Sequence, residues 1–444
     1  MAAVWAAAFP VVSSLGPHRV WGASACVGYL CAAVAVLSRR SLGRAVSVWI
    51  AGIGAVLVPL VVLVLTGGAQ SEVGVVERAG LLTVRQGTPY LADPQAVVEV
   101  TPYLPGMALF GLPGAVVADG WEPLRYLGDA RLWCAAAFLG CLWAAGRVLG
   151  ARACSQSPAR RPRRPARTLA TPGGNPSTSS TRASARRAES THRTPRTPHR
   201  TLRTRPRGTG QLVGAALIAS PVVALPLAVS GVDLPLTGLL CLALALAARH
   251  RPVAAGLALA LACSLKWTAW PALAVVAALL AHRSGLGAAV RGTGVAVAGT
   301  VLAVLPSALL APGPLVEQVF AFPTGRGEWE TPAASPLPGR LLADLGPFGW
   351  YAAMTLLAAG GVAVAVSLWV RPPAGLVPAA DRLAVGLCTA FLLAPAGRFG
   401  YLALPVLLSV WARLAEAPSR VAPARSRVVA AGSAARPVLV GGDR

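Results

Sequence analysis

Lysine is nearly missing from this chain. Of 40 basic residues only Lys266 is a lysine, and the rest are arginines; acidic residues number 16 and methionines three. Arginine in place of lysine, with alanine, glycine, valine, leucine and proline in excess, reads as the codon bias of a GC-rich genome. Alanine then fills positions by default, and propensity arguments lose weight. A lysine kept against that bias marks its place, SLKWTAWP at 264–271, between two apolar runs.

Metal-binding patterns are missing as well. None of the eight cysteines has CxxC spacing, and all but Cys154 fall in apolar segments, so neither a disulfide framework nor a zinc site is indicated. The five histidines (His18, His192, His199, His250 and His282) form no cluster and no DxD pair occurs, so no metal and no cofactor are expected. The first nineteen residues lack a cationic stretch and a small-residue cleavage site, and no removable signal peptide is expected.

What is abundant is apolar sequence. The 444 residues are 55% hydrophobic and 13% charged, and runs of spanning length recur, each closed by arginine or a Pro/Gly turn. The pattern predicts an all-α polytopic membrane protein. Spans are expected near 20–37, 45–66, 131–149, 211–230, 234–249, 289–311, 348–370, 382–397 and 399–414. A broken pair at 252–282 brings the total to about ten to eleven membrane segments.

Counting arginines at the loop ends sets the topology. Arg39, Arg40, Arg44, the stretch 151–210, Arg249 to Arg251, Arg283, Arg371 and the tail from Arg420 all fall on the cytoplasmic side in one orientation. That orientation requires 101–119, with three prolines and three glycines, to be interfacial or re-entrant. It also requires 252–282 to enter and return, with Lys266 at the turn. Twelve of the acidic residues then collect on the outer face: Glu72, Glu77, Asp93, Glu99, Asp119, Glu122, Asp129, Asp233, Glu317, Glu328, Glu330 and Asp344.

The chain divides into an N-terminal membrane half (1–150) with a long outer loop (67–130), a linker (151–210), a C-terminal membrane half (211–415) and a basic tail (416–444). The linker holds fifteen arginines and one glutamate, and so supplies fourteen of the net charge of +24. Its Ser, Thr and Pro content predicts disorder on the cytoplasmic side. It lacks interleaved aromatics, so anionic membrane lipids are the expected partner and no nucleic acid is expected.

The first outer loop reads SEVGVVERAGLLTVRQGTPYLADP (71–94) and continues VTPYLPGMALFGLP (100–113). An acidic residue stands just past a span, a helical run follows, and a Gly-Thr-Pro-Tyr turn closes it. With the block at 230–283, where Lys266 is soon followed by Pro271, and the turn APAGRFGYLALP (394–405), the chain resembles glycosyltransferase family 87. Those are C-type polyprenyl-phosphate-mannose-dependent mannosyltransferases. The motifs occur in the family's order over most of the membrane domain. Two departures stand out: the family more often has aspartate where Glu72 stands, and 322–339 replaces a Gln-rich motif.

The resemblance implies a C-type helical bundle that moves a hexose, mannose by analogy, from a polyprenyl-phosphate sugar donor to a lipid or glycan acceptor on the outer face of the cell membrane. Such transfer needs a base for the acceptor hydroxyl and a cation for the departing phosphate. Glu72 is the candidate base, with Glu77 competing. Lys266 and Arg398 are the candidate phosphate ligands, since a cation at membrane depth is a functional hypothesis by default. Asp233, Tyr90, Tyr103 and Tyr401 are candidate substrate contacts. Bland readings stand beside these: Lys266 as a snorkelling side chain, Glu72 and Glu77 as solvated loop residues, and the tyrosines as loop packing. A transporter or lipid flippase, with Lys266 as a substrate or gating charge, is the alternative function, although no internal repeat supports it.

Overall fold

The computed structural model describes residues 1–38, 43–117, 125–155 and 208–416, and side chains within these except at 151–155 and 208–211. Arg39, Arg40, Asp119, Glu122, the bulk of the predicted linker (156–207) and the tail from 417 lie outside the described residues.

The chain is an all-α, polytopic membrane protein. Among the described residues there is no strand, only an isolated bridge between Ala334 and Gly397. The main helices are α1 (Ala2–Val12), α2 (Gly16–Ser38), α3 (Gly43–Leu65), α4 (Ser71–Gln86), α5 (Ala130–Ser155), α6 (Gly208–Ile218), α7 (Pro221–Val229), α8 (Leu234–Ala248), α9 (Pro252–Leu265), α10 (Pro271–Ser284), α11 (Leu286–Leu310), α12 (Pro347–Val370), α13 (Leu376–Leu393) and α14 (Ala403–Glu416).

Seven described helices are long and apolar enough to cross a membrane: α2, α3, most of α5, α11, α12, α13, and α14 with the turn before it. The segment expected as one span at 211–230 is two helices, α6 and α7, bent by 60° where Ser220 and Pro221 interrupt the ladder, and it makes an eighth if counted as one. Helix α8 has 15 residues and is buried on nearly every side. An evenly apolar helix belongs in a core rather than at a surface. By contrast α11 and α12 leave Leu302, Leu309, Phe348 and Trp369 more than two-thirds exposed, as lipid-facing helices do.

Contacts at the two ends order these helices. At one end the Gln70 N–H reaches Val229 O and the Leu104 N–H reaches Leu265 O. At the other, His250 Nδ1 lies 2.7 Å from Ser284 Oγ, Arg283 donates to Ala374 O, and the Leu376 N–H donates to Glu416. The start of α9 therefore meets the end of α10, and the two helices fold back on each other at the Lys266 turn. Each limb has 14 residues, roughly 21 Å at the α-helical rise, short of the ~30 Å hydrocarbon core.

Two local features follow directly from sequence. Pro59 has no N–H, so the carbonyl of Ala55 loses its helical partner, and the helix widens to a π-turn at Ile53–Leu57. Trp21 Nε1 donates to that carbonyl at 2.8 Å and Ser24 Oγ to Gly54 O at 2.7 Å, which pins α2 to α3. The second concerns α13, expected from 382 but starting at Leu376. Asp381 pairs with Arg413 of α14, so the helix passes through this charge.

Candidate functional site

The Lys266 turn is built by satisfying the end of α9. The last carbonyls of a helix lack intrahelical donors. Here Cys263 O accepts from Trp270 Nε1 at 3.2 Å and Leu265 O from the Leu104 N–H at 3.0 Å. Lys266 takes an extended backbone, a single 3₁₀ turn follows at Trp267–Ala269, and Pro271 starts α10 in a position that needs no N–H. Residues 101–111 of the outer loop dock on this turn. Gly106 makes that possible, because a Cβ there would stand 2.4 Å from Ser264 Oγ.

Two ion pairs meet beside the turn. Lys266 Nζ lies 2.9 Å from Asp233 Oδ1, and Arg398 Nη1 pairs with Glu72 Oε1. Asp233 stands at the N-cap of α8 yet makes no capping hydrogen bond, because its carboxylate is given to Lys266. Glu72 sits in the first turn of α4, where the helix dipole favours a carboxylate. Its second oxygen, Oε2, is buried and has no hydrogen-bond partner among the described residues. The Lys266 ammonium also lies over two rings, 4.9 Å from the centre of Tyr401 and 5.5 Å from that of Tyr103. Burial, with Asp233, Glu72 and Tyr401 nearby and Arg398 opposing, pushes the Tyr103 phenol well above its usual range, so it stays neutral.

Six of the eight sequence-derived candidates, Glu72, Tyr103, Asp233, Lys266, Arg398 and Tyr401, are thus neighbours drawn from separate segments. The other two lie elsewhere. Tyr90 is 1% exposed and donates to Tyr103 O at 2.9 Å, so it braces the backbone of a cluster residue. Glu77 accepts the Ala130 N–H at 3.1 Å at the start of α5. Burial pushes its carboxyl up; the Ala130 hydrogen bond opposes this, Asp129 reinforces it and Arg131 opposes it.

Three supports escaped the sequence reading. Arg131 is 1% exposed, pairs with Asp129 at 2.6 Å and donates to Leu63 O, Gly68 O and Ala228 O, tying α3, α5 and α7 together near Glu77. An arginine one residue inside a span, two after an aspartate, was the available signal. Gln318, buried in the loop before α12, accepts the Thr101 N–H and donates to Leu91 O, fixing the outer loop. Ala333 and Ser335 hold the Arg398 turn by backbone bonds to Gly397 and a side-chain bond to the Phe399 N–H. Nothing in the local sequence pointed to Gln318 or to this clamp.

Asp233, Lys266 and Tyr401 line a cavity of about 70 Å³ whose remaining wall is largely apolar, with Val222, Leu236 and Leu404 from α7, α8 and α14. Among the described residues no group of His, Cys, Asp and Glu could hold a metal ion. A site of two cations, two carboxylates and two phenols against an apolar wall can bind an anion and accept a proton. No protein-family model, curated protein or solved structure matches the chain.

Proposed function

We propose that the chain is an integral-membrane glycosyltransferase of the C-type bundle class, with about ten to eleven membrane segments, moving a hexose from a polyprenyl-phosphate donor to a lipid or glycan acceptor on the non-cytoplasmic face. One observation carries this reading: Glu72, Arg398, Lys266 and Asp233 converge from distant segments at one end of the bundle, next to an apolar-walled cavity. Motif order and the clustering of arginines at the opposite end support it.

In the reaction the acceptor hydroxyl oxygen attacks the anomeric carbon and the bond from that carbon to the phosphate oxygen breaks. The hydroxyl proton passes to Glu72 Oε2, and the electron pair leaves with the phosphate. Lys266 and Arg398 offset the charge gathering on that leaving group. Asp233 keeps Lys266 charged and aimed, and the rings of Tyr103 and Tyr401 flank the ammonium where water would otherwise compete. The donor's isoprenoid tail stays in apolar surroundings while its headgroup reaches the cluster.

The test is transfer of radiolabelled mannose from synthetic polyprenyl-phosphate mannose by purified, reconstituted protein, with membrane lipid extract as acceptor. Wild type should transfer. Glu72→Gln and Lys266→Ala should each lose transfer, on the order of a hundredfold or more for the missing base, while inserting normally. Wild-type turnover in either variant would remove that residue from its role. Movement of the donor across sealed vesicles without sugar transfer would favour the flippase reading.

A further inference from the structure

The two ion pairs are not equivalent. Lys266 is held from three sides, by Asp233 at 2.9 Å and by the rings of Tyr401 and Tyr103, and its side chain is 14% exposed. Among the described residues the Arg398 guanidinium has a single hydrogen-bonding partner. Its Nη1 meets Glu72, and among the described residues the guanidinium makes no other hydrogen bond or ion pair; the side chain is 29% exposed. Its backbone is fixed, because the Gly397 N–H donates to Ala333 O and the Ser335 N–H to Gly397 O. A fixed backbone bearing a long side chain with one partner is suited to swinging between two anions. Glu72 shows the complementary lack: Oε1 is taken by Arg398, and Oε2 is buried without a donor among the described residues.

We infer that Arg398 is a latch shared between Glu72 and the donor phosphate: an isoprenyl phosphate entering beside Lys266 draws the guanidinium off Glu72, and the carboxylate is released for the acceptor only when donor is in place. This rests on the reading of the site as a phosphate-sugar transferase. A phosphate competes well for the arginine because it accepts a bidentate fork, whereas Glu72 engages a single nitrogen. Once the arginine leaves, a half-buried carboxylate with one buried orphan oxygen has lost its partner, which is costly until a hydroxyl fills the gap. Acceptor binding is therefore favoured after donor binding, and the site binds in order.

Linkage makes the latch measurable. If Arg398 is shared, removing its resting partner must strengthen its hold on phosphate, and the gain must vanish when the arginine is absent. Through-space repulsion between Glu72 and phosphate would instead act whether or not Arg398 is there. The experiment measures binding of farnesyl phosphate to the full-length protein in lipid nanodiscs for wild type, Glu72→Gln, Arg398→Gln and the double variant, with thermal melting to check folding. Arg398→Lys, which keeps the charge, replaces Arg398→Gln should the latter fail to fold, and is expected to reduce the gain sharply.

Glu72→Gln should bind about fivefold tighter than wild type or better, while the same change in the Arg398→Gln background should do nothing. Equal tightening in both backgrounds, or none in the first, overturns the latch. Lys266→Ala separates this from the underlying reading: if it abolishes binding while Glu72→Gln has no effect, only the latch falls. If wild type does not bind an isoprenyl phosphate, both fall.

Discussion

At the scale of single residues, the buried charges divide into those that await a partner and those that have every partner already. Arg131 belongs to the second kind. Replacing it with methionine would keep the volume but leave Asp129 with the backbone N–H of residue 131 and no guanidinium, and strip three backbone carbonyls of that donor. Removing one member of such a pair costs about 3–5 kcal/mol, so Arg131→Met should lower the melting temperature of detergent-solubilised protein sharply; an unchanged melt would show that the arginine holds nothing together. Glu77 gives a pH prediction. Its carboxyl is raised in the folded protein, so the native state binds more protons than the unfolded chain. The associated stability is present below the ordinary carboxylate range and is lost as pH rises through the raised value. Melting curves across that window should fall more steeply for wild type than for Glu77→Gln. Of these residues, Glu72, Asp233, Lys266 and Arg398 were legible in the sequence because each is a charge at the edge of an apolar run, where charge is expensive. Arg131 escaped attention because its cost is offset by carbonyls that no local pattern reveals.

At the scale of elements, the outer loop and the Lys266 turn act as one piece. Their junction is the backbone bond from Leu104 to Leu265 and the close approach of Gly106 to Ser264. A side chain at 106 cannot fit, since its Cβ would also stand 2.8 Å from Ser264 O. Gly106→Val should therefore push the loop outward, carry Tyr103 away from Lys266 and cut transfer by an order of magnitude or more, a factor in keeping with the penalty for small misplacement of catalytic groups. Insertion should continue, because the spanning helices do not depend on this contact. Full activity in that variant would show that Tyr103 is a bystander. The helix α4 and its Gly-Thr-Pro-Tyr exit were visible beforehand, since Gly87 adopts the left-handed conformation that ends a helix. The docking of 101–111 was not, because a segment rich in proline and glycine carries no periodicity to say which face it buries.

At the scale of the whole molecule, the two-ion-pair cluster and the loop-end arginines sit at opposite ends. The cluster lies where α4, α8 and the turns after α9 and α13 meet, whereas Arg249, Arg251, Arg283 and Arg371 mark the other end. Helix α5 runs from Ala130 beside Glu77 to Ser155, and α6 resumes at Gly208. Deleting 155–205 should consequently leave transfer within about twofold of wild type, an energy difference near 0.4 kcal/mol; a large loss would tie the cationic linker to the chemistry. The sequence alone determined that this is a helical membrane protein, because its spanning-length apolar runs are stable only as helices in a bilayer. It also predicted that the ends of α8, α10 and α12 share a side, because Arg249, Arg283 and Arg371 follow or close them. It did not determine the 60° bend between α6 and α7 or the burial of α8, since packing against neighbours and not local composition decides both. Only the tertiary structure paired Glu72 with Arg398, 326 positions apart, and Asp233 with Lys266. A residue pattern can show that a charge needs a partner at membrane depth, but the partner is chosen by which helix ends are brought together.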